Sequence, residues 1–159
     1  MSRRRALFSP CTHYRYTLWR EWIGGSGTCA FIGLNPSTAT DTIDDPTIRR
    51  CSRYAQAWGY QTYLMLNLFA WRDTDPRRMK SASDPVGPLN DDVLVDQAQQ
   101  ASIVIAAWGA HGTFNGRSDA VRQMMNDADV TLHYLALTKD GHPGHPLYLK
   151  STLTPTPWI

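Results

Sequence analysis

The chain has 159 residues, 42% of them hydrophobic and 19% charged, and a net charge of +2. This length fits one domain, and the balance of apolar and charged residues excludes a disordered chain. No apolar run approaches the ~20 residues that a membrane helix needs, and none resembles the core of a signal peptide. We therefore expect a cytoplasmic, monomeric protein with no membrane partner. The three cysteines form no C-x-x-C pair, which argues against a zinc ribbon or an iron–sulfur cluster.

The sequence predicts a single domain over residues 1–159. An N-terminal strand or hairpin extension occupies 1–27, an α/β core occupies 28–149, and a tail occupies 150–159. We find no internal repeat, low-complexity tract or linker that would divide the chain.

From residue 14 onward, apolar strand-like runs alternate with segments of helical spacing. The helical segment at 45–60 opens with Asp45 and Pro46, a cap followed by a proline at the first helical position. The predicted strands cover 14–22, 28–34, 62–69, 102–109 and 130–137, and the predicted helices cover 45–60, 90–101 (with Asn90 as cap) and 115–128. This alternation predicts a three-layer α/β/α fold around a central, four-stranded, mostly parallel sheet.

Polar loops rich in glycine and proline follow the four core strands. They cover 33–39, 67–76, 108–112 and 138–149. In open α/β sheets, ligands bind beyond the carboxyl ends of the strands. We therefore expect these four loops to meet at one site.

Two asparagines in these loops are candidates for ligand binding. Pro36 stiffens the backbone after Asn35, so the Asn35 amide projects to a fixed point; the alternative is a plain turn in which that amide bonds nearby backbone. Asn67 interrupts an apolar strand near its end, and a buried amide requires partners for its donors and acceptors. It either bonds neighbouring backbone or reads a base edge, because an amide presents a donor and an acceptor side by side.

Two His-Pro pairs lie near the end of the chain, at His142 and His145. Proline after each histidine keeps both pairs out of helix interiors and central strands. A metal site would need a third ligand, such as His111 or Asp140, and nothing in the sequence specifies one. A solvent-exposed turn and a catalytic hairpin at the strand ends are the other two interpretations.

Basic residues cluster at 2–5, 48–53 and 72–80. Phosphate contacts need local positive groups and not a high overall charge, although solvated arginines on helix faces would give the same pattern. The candidates for contacts with a nucleic-acid backbone are Arg49, Arg50, Arg72 and Lys139.

The strand-end segments, taken in order, resemble motifs of the uracil-DNA glycosylase superfamily. "FIGLNPSTA" (31–39) is similar to its first motif, "YLMLNLFAWR" (63–72) to its strand ending in a base-reading Asn, "IVIAAWGAHG" (103–112) to its Leu-Leu-Trp-Gly strand, and "HPGHPL" (142–147) to its His-Pro-Ser-Pro-Leu hairpin. The resemblance covers about 28–149. The whole sequence also resembles a group of short bacterial and phage proteins of unknown function.

The resemblance implies a DNA glycosylase that hydrolyses the N-glycosidic bond of a flipped uracil, mismatched or modified pyrimidine without a cofactor or metal. It implies that Asn35 holds the attacking water and that Asn67 bonds the base. His145, or else His142, would stabilise the anionic oxygen of the leaving base, and Leu147 would fill the gap in the base stack. The remaining substrate-binding candidates are Gly33, Pro36, Ser37, Phe69 and Trp71.

Two other functions are compatible with the same residues. The first motif lacks the acid and the tyrosine of the superfamily's most active branch, which favours a non-catalytic module that binds nucleic acid or a nucleotide. A protein-interaction or metal-dependent role would instead use Trp71, Trp158 and the histidines as contacts.

Overall fold

The computed structural model describes residues 3–159, so the first two residues of the predicted N-terminal extension lie outside it. Within residues 3–159 the fold consists of seven strands and four α-helices. The strands are β1 (Arg3–Phe8), β2 (Arg15–Glu21), β3 (Thr28–Gly33), β4 (Thr62–Asn67), β5 (Ile103–Ala106), β6 (Leu132–Tyr134) and β7 (Thr156–Pro157). The helices are α1 (Pro46–Ala57), α2 (Pro76–Ser81), α3 (Asn90–Gln100) and α4 (Arg117–Asp127), with short 3₁₀ segments at Ala110–Gly116 and Pro146–Tyr148.

All seven strands belong to one mixed sheet, in the order β1-β2-β4-β3-β5-β6-β7. The central pairs β4–β3, β3–β5 and β5–β6 are parallel. The pairs β1–β2, β2–β4 and β6–β7 are antiparallel and extend the sheet at both edges. The α/β class is confirmed, but the sheet has seven strands and not the predicted four, because the N-terminal hairpin and the tail add strands to it.

Helices cover both faces of the sheet, because each helix presents one apolar face. The buried residues of α1, including Ile48 and Tyr54, pack on one face around Phe31. The buried residues of α3 and α4, including Leu94 and Val121, pack on the other face. Helix α1 begins as the sequence predicts, since the Asp45 side chain accepts a hydrogen bond from the Ile48 amide at 2.8 Å.

Three local predictions are wrong. The segment between the predicted strand 62–69 and the predicted helix 90–101, for which the sequence predicted no helix, contains helix α2, which buries Met79. The predicted tail contributes β7, whose Thr156 pairs with Tyr134. Asn90 does not cap α3 with its side chain; its amide instead donates to the carbonyls of Asn67 and Leu68, both at 3.0 Å.

The register of the central strands brings the strand-end loops together. Gly33 pairs with Asn67 at the carboxyl ends of β3 and β4. Ile32 pairs with Ala106 at the end of β5, so three of the four predicted loops begin at one edge of the sheet. None of the helices in residues 3–159 combines the length and the apolar character that crossing a lipid bilayer requires.

Candidate functional site

A cavity of about 530 Å³ lies at this edge of the sheet, between the first turn of α1 and the segment that follows β6. Four strand-end loops contribute to its wall, as the sequence predicts. The predicted site residues that line it are Gly33, Asn35, Pro36, Ser37, His145 and Leu147. The remaining predicted catalytic and substrate-binding residues, Asn67, Phe69, Trp71 and His142, lie outside the lining, as do the four predicted phosphate-contact residues.

The Asn35 amide fixes the geometry of the cavity. Its Nδ2 donates to the carbonyls of Pro36 (3.3 Å), Trp71 (3.3 Å) and Asp73 (2.9 Å). Three carbonyl partners identify this atom as the nitrogen, since an oxygen there would be repelled. No hydrogen bond from residues 3–159 reaches Asn35 Oδ1, which is therefore the free acceptor. The nitrogen therefore bonds backbone, with one carbonyl in its own turn and two in the loop after β4.

Asn67 lies beside the cavity and is buried, with 1% of its surface exposed. Neither Oδ1 nor Nδ2 of its amide has a hydrogen-bond partner within residues 3–159. Its Oδ1 is 3.1 Å from the point that a Cβ on Gly33 would occupy, and Gly33 itself lines the cavity. The Met65 side chain, which also lines the cavity, places its Cε 2.5 Å from the same point. The amide that the sequence singles out is thus an unsatisfied buried group next to the cavity wall, which is a costly arrangement.

Arg15 lines the cavity from β2, and sequence reasoning missed it. It is 1% exposed. Its Nη1 donates to the Ala39 carbonyl at 3.0 Å, but its Nε is buried without a partner. Within residues 3–159 no carboxylate lies within ion-pair distance of it. Burial lowers the pKa of Arg15 to about 10, so the side chain is charged at neutral pH.

A β-bulge explains why the sequence pattern did not reveal Arg15. The register between β1 and β2 shifts at this point: Leu7 pairs with Thr17, but Phe8 pairs with Arg15. A bulge of this kind redirects a side chain relative to simple alternation. Periodicity alone would place an arginine between two tyrosines on a solvent-facing side of the strand.

His145 is held in one tautomer. Its Nδ1 accepts a hydrogen bond from the Leu147 amide at 3.2 Å, so in the neutral ring the proton is on Nε2. Burial lowers the pKa of His145 below the usual 6.5, although the nearby Asp45 carboxylate opposes this effect. The cavity therefore has a neutral imidazole whose remaining ring nitrogen is a donor.

The two histidines of the His-Pro pairs occupy different places. His142 lies in a turn that Leu137 and Pro143 close by a β-bridge, and its amide donates to Thr138 Oγ1. In the part of the chain that is described, no three His, Cys, Asp or Glu side chains are grouped as metal ligands. Of the two histidines, only His145 is at the cavity.

Phe69 and Trp71, the two aromatic substrate-binding candidates, do not line the cavity. Phe69 is fully buried in the core, 5.9 Å from Phe114 between ring centroids. Trp71 stacks on His13 at 5.3 Å and forms a bridge with Tyr14. Both side chains fix the loop after β4 onto the body of the protein, and neither reaches the cavity.

The rim of the cavity is apolar and exposed. Leu147 is 43% exposed and Tyr148 is 87% exposed, and both line the opening. The short 3₁₀ segment that carries them begins at Pro146, which fixes the backbone there. Exposed apolar side chains at the mouth of a cavity indicate a contact surface.

The four predicted phosphate-contact residues divide into two pairs. Arg50 donates to the Leu149 carbonyl, and Arg72 donates to the Thr12 carbonyl at 2.9 Å and lies over the Phe8 ring. The guanidinium groups of these two arginines are therefore engaged by backbone carbonyls of the protein itself. Arg49 and Lys139 are exposed.

Comparisons with known proteins add a family but no activity. A family model described as "Protein of unknown function (DUF1643)" matches residues 15–147. The match begins at Arg15 and ends at Leu147, so it includes every cavity residue discussed above except Tyr148. Searches of curated proteins and of solved structures gave no match.

Replacement of Asn35 by Asp should destabilise the protein although the two side chains have the same shape. The variant puts a carboxylate oxygen against three carbonyl oxygens, and we expect the free energy of unfolding to fall by about 2 kcal/mol. Urea denaturation measures this. Asn115→Asp, at an exposed position, is the control and should change stability by less than about 0.5 kcal/mol. Equal stability of the two variants would contradict the hydrogen bonding described for Asn35.

Two buried arginines on β2 allow a matched test of unpaired charge. Arg15 has no carboxylate partner, whereas Arg20 Nε bonds Asp44 at 2.8 Å. We expect Arg15→Met to raise the free energy of unfolding by about 1 kcal/mol, and Arg20→Met to lower it by about 2 kcal/mol, because only the second leaves a partner charge behind. Urea titrations of both variants decide this. If Arg15→Met lowered the free energy of unfolding as much as Arg20→Met does, Arg15 would be a structural residue.

Proposed function

The chain belongs to the DUF1643 family of proteins of unknown function, and we propose that it is a DNA base-excising N-glycosyl hydrolase of the uracil-DNA glycosylase type. One observation carries the proposal: a free amide oxygen on Asn35 and a neutral imidazole on His145 line the same cavity. The substrate class is a flipped uracil, mismatched or modified pyrimidine.

The proposed reaction exchanges one bond for another. A water oxygen bonds to the sugar carbon, the bond from that carbon to the base nitrogen breaks, and its electron pair leaves with the base. Positive charge develops on the sugar and negative charge on the base in the transition state. The proton that the water loses neutralises the departing base, so no cofactor is required.

Asn35 positions the water in this scheme. Its Oδ1 accepts a hydrogen bond from the water, and its Nδ2 is fixed by three carbonyls, so the acceptor points in a set direction. An amide oxygen is a weak base and does not take the proton. Its contribution is orientation, which is effective only when the reacting atoms are held close together. Slow turnover follows from this choice of residue.

His145 stabilises the leaving base. The Nδ1 bond to the Leu147 amide leaves Nε2–H to donate to the oxygen on which charge accumulates. A neutral imidazole with its proton on Nε2 can donate this hydrogen bond without first being protonated. The unsatisfied Asn67 amide offers a donor and an acceptor to the polar edge of the base, and contact with it requires the Met65 methyl group beside Gly33 to move.

Binding of DNA would use the rim. Leu147 and Tyr148 are exposed apolar side chains suited to occupy the gap that a flipped base leaves in the stack. Arg49 and Lys139 are the exposed cations among the predicted phosphate contacts. The parallel central strands, with the ligand cavity at their carboxyl ends, support the uracil-DNA glycosylase-like fold.

A binding module that keeps the pocket without the chemistry is the second candidate. It is favoured by Asn35, which has no acidic group to activate a water molecule. The non-catalytic protein would bind the same nucleobase, release none of it, and retain binding in Asn35→Ala.

Base release from synthetic DNA tests the proposal. Wild-type protein should produce abasic sites in single-stranded or mismatched oligonucleotides carrying uracil, thymine mismatches or a modified pyrimidine. Asn35→Ala and His145→Ala should each lose about 100-fold or more in kcat, in the range for removing a positioning or charge-stabilising group. His142→Ala, on the same segment but outside the cavity, is the matched control and should keep full activity. Absence of cleavage with every substrate, at high enzyme and long incubation, would rule out the proposed activity.

The pH dependence of base release tests the role of His145. Burial lowers the pKa of His145 below 6.5, so the midpoint of the kcat profile should lie below pH 6.5. At lower pH, protonation of Nδ1 removes the acceptor for the Leu147 amide, and kcat should fall as the ring loses its orientation. The kcat profile of wild type, compared with that of His142→Ala, measures this. A midpoint at or above pH 6.5 would contradict the assignment.

A further inference from the structure

Arg15 is a buried cation that faces a cavity and has no anionic partner. Its guanidinium makes one side-chain hydrogen bond, from Nη1 to the Ala39 carbonyl. Its Nε has no partner, and no hydrogen bond from Nη2 is formed within residues 3–159. Buried charges in proteins are normally paired, because desolvation of an unpaired charge is costly. The other two buried arginines follow this rule, since Arg20 pairs with Asp44 and Arg117 pairs with Asp91.

Neither acidic residue of the cavity wall forms an ion pair with Arg15. Burial lowers the pKa of Arg15, and the charge of Asp45 partly opposes this shift although the two side chains lie beyond ion-pair distance. Asp45 Oδ1 accepts the Ile48 amide at the N-terminus of α1. Asp73 bonds Arg78 at 2.9 Å and the Asp75 amide at 3.0 Å. The groups with unpaired buried atoms at the cavity are therefore the Arg15 guanidinium, which lines it, and the Asn67 amide, which lies against Gly33.

We propose that Arg15 forms an oxyanion subsite in the cavity, which binds a carboxylate or phosphate carried by the heterocyclic ligand. The planar guanidinium suits such a group, because two of its N–H donors can bond two oxygens of one anion. The inference rests on the proposed function in taking the ligand to be a nucleobase or its nucleotide. It goes beyond that function by specifying an acidic group on the ligand.

The position of Arg15 restricts where this acidic group can come from. The side chain is 1% exposed, so the phosphates of a DNA strand lying across the rim do not reach it. The oxyanion must enter the cavity with the ligand. Two sources have this chemistry, an acidic substituent on the base and the phosphate of a free mononucleotide. A cavity of about 530 Å³ is within the usual size range of small-molecule sites.

Calorimetric titration of the full chain with paired probes tests the subsite. The first pair is orotate, a pyrimidine with a ring carboxylate, against uracil; the second is uridine 5′-monophosphate against uridine. We expect the acidic member of one pair to bind wild-type protein at least about tenfold more tightly than its neutral partner, because hydrogen bonds to charged groups are stronger. A preference within the first pair identifies an acidic base, and one within the second identifies a mononucleotide.

Variants connect the preference to Arg15. In Arg15→Gln the preference should vanish, and in Arg15→Lys it should be reduced but present, since the charge remains without the planar fork. Arg5→Gln removes one positive charge outside the cavity lining and is the control, which should keep the preference. Thermal unfolding of each variant shows that it is folded. Equal affinities within both pairs for wild type, or a preference that survives in Arg15→Gln, would overturn the subsite.

Base release from DNA, measured on the same preparation, separates this inference from the proposed function. Release of neutral bases without any preference for an acidic ligand would overturn the subsite alone. A preference for the acidic ligand that depends on Arg15, with no base release from any oligonucleotide, would confirm the subsite and overturn the glycosylase activity.

Discussion

The amide nitrogen of Asn35 is the point on which the site depends. It joins the loop after β3 to the loop after β4 through carbonyls of Trp71 and Asp73. These loops leave adjacent parallel strands, and two of the three hydrogen bonds from this nitrogen join them, while the third is to Pro36 in its own loop. The same bonds set the direction of Asn35 Oδ1. The Asn35 amide therefore has two roles, because its nitrogen fixes the loops that form the cavity wall and its oxygen is the free acceptor.

The cavity departs from the rule that buried polar groups are paired. Asn67 and Arg15 carry three of the nine buried side-chain nitrogen and oxygen atoms that have no hydrogen-bond partner within residues 3–159. The other six belong to Thr17, Arg50, Arg72, Asn90, Arg117 and His133. Arg15 and Asn67 are distinguished by their position, since Arg15 lines the cavity and Asn67 lies against Gly33, which also lines it. Unpaired buried groups lower stability, and proteins retain such costs where a ligand compensates them.

Sequence patterns predicted the parts of the fold that local rules govern. The Asp45 cap, the parallel core strands and the convergence of four strand-end loops follow from capping chemistry, hydrophobic runs and chain direction. Long-range contacts were beyond such rules. Asn90 bonds a neighbouring strand end instead of its own helix, the tail pairs with β6, and a bulge turns Arg15 into the cavity. The choice between His142 and His145 also required three dimensions, because both precede proline in the sequence and only one lies at the cavity.

The proposed reaction and the proposed oxyanion subsite both require a heterocycle to bind in the cavity that Asn35, Arg15 and His145 line, next to the buried Asn67. A crystal structure of the chain with a bound pyrimidine tests this most directly. The account predicts density in this cavity, with polar atoms of the ligand within hydrogen-bond distance of the Arg15 guanidinium or the Asn67 amide, and with His145 Nε2 directed at a ligand oxygen. A ligand bound in another groove, or a cavity that stays without ligand at saturating concentration, would contradict it.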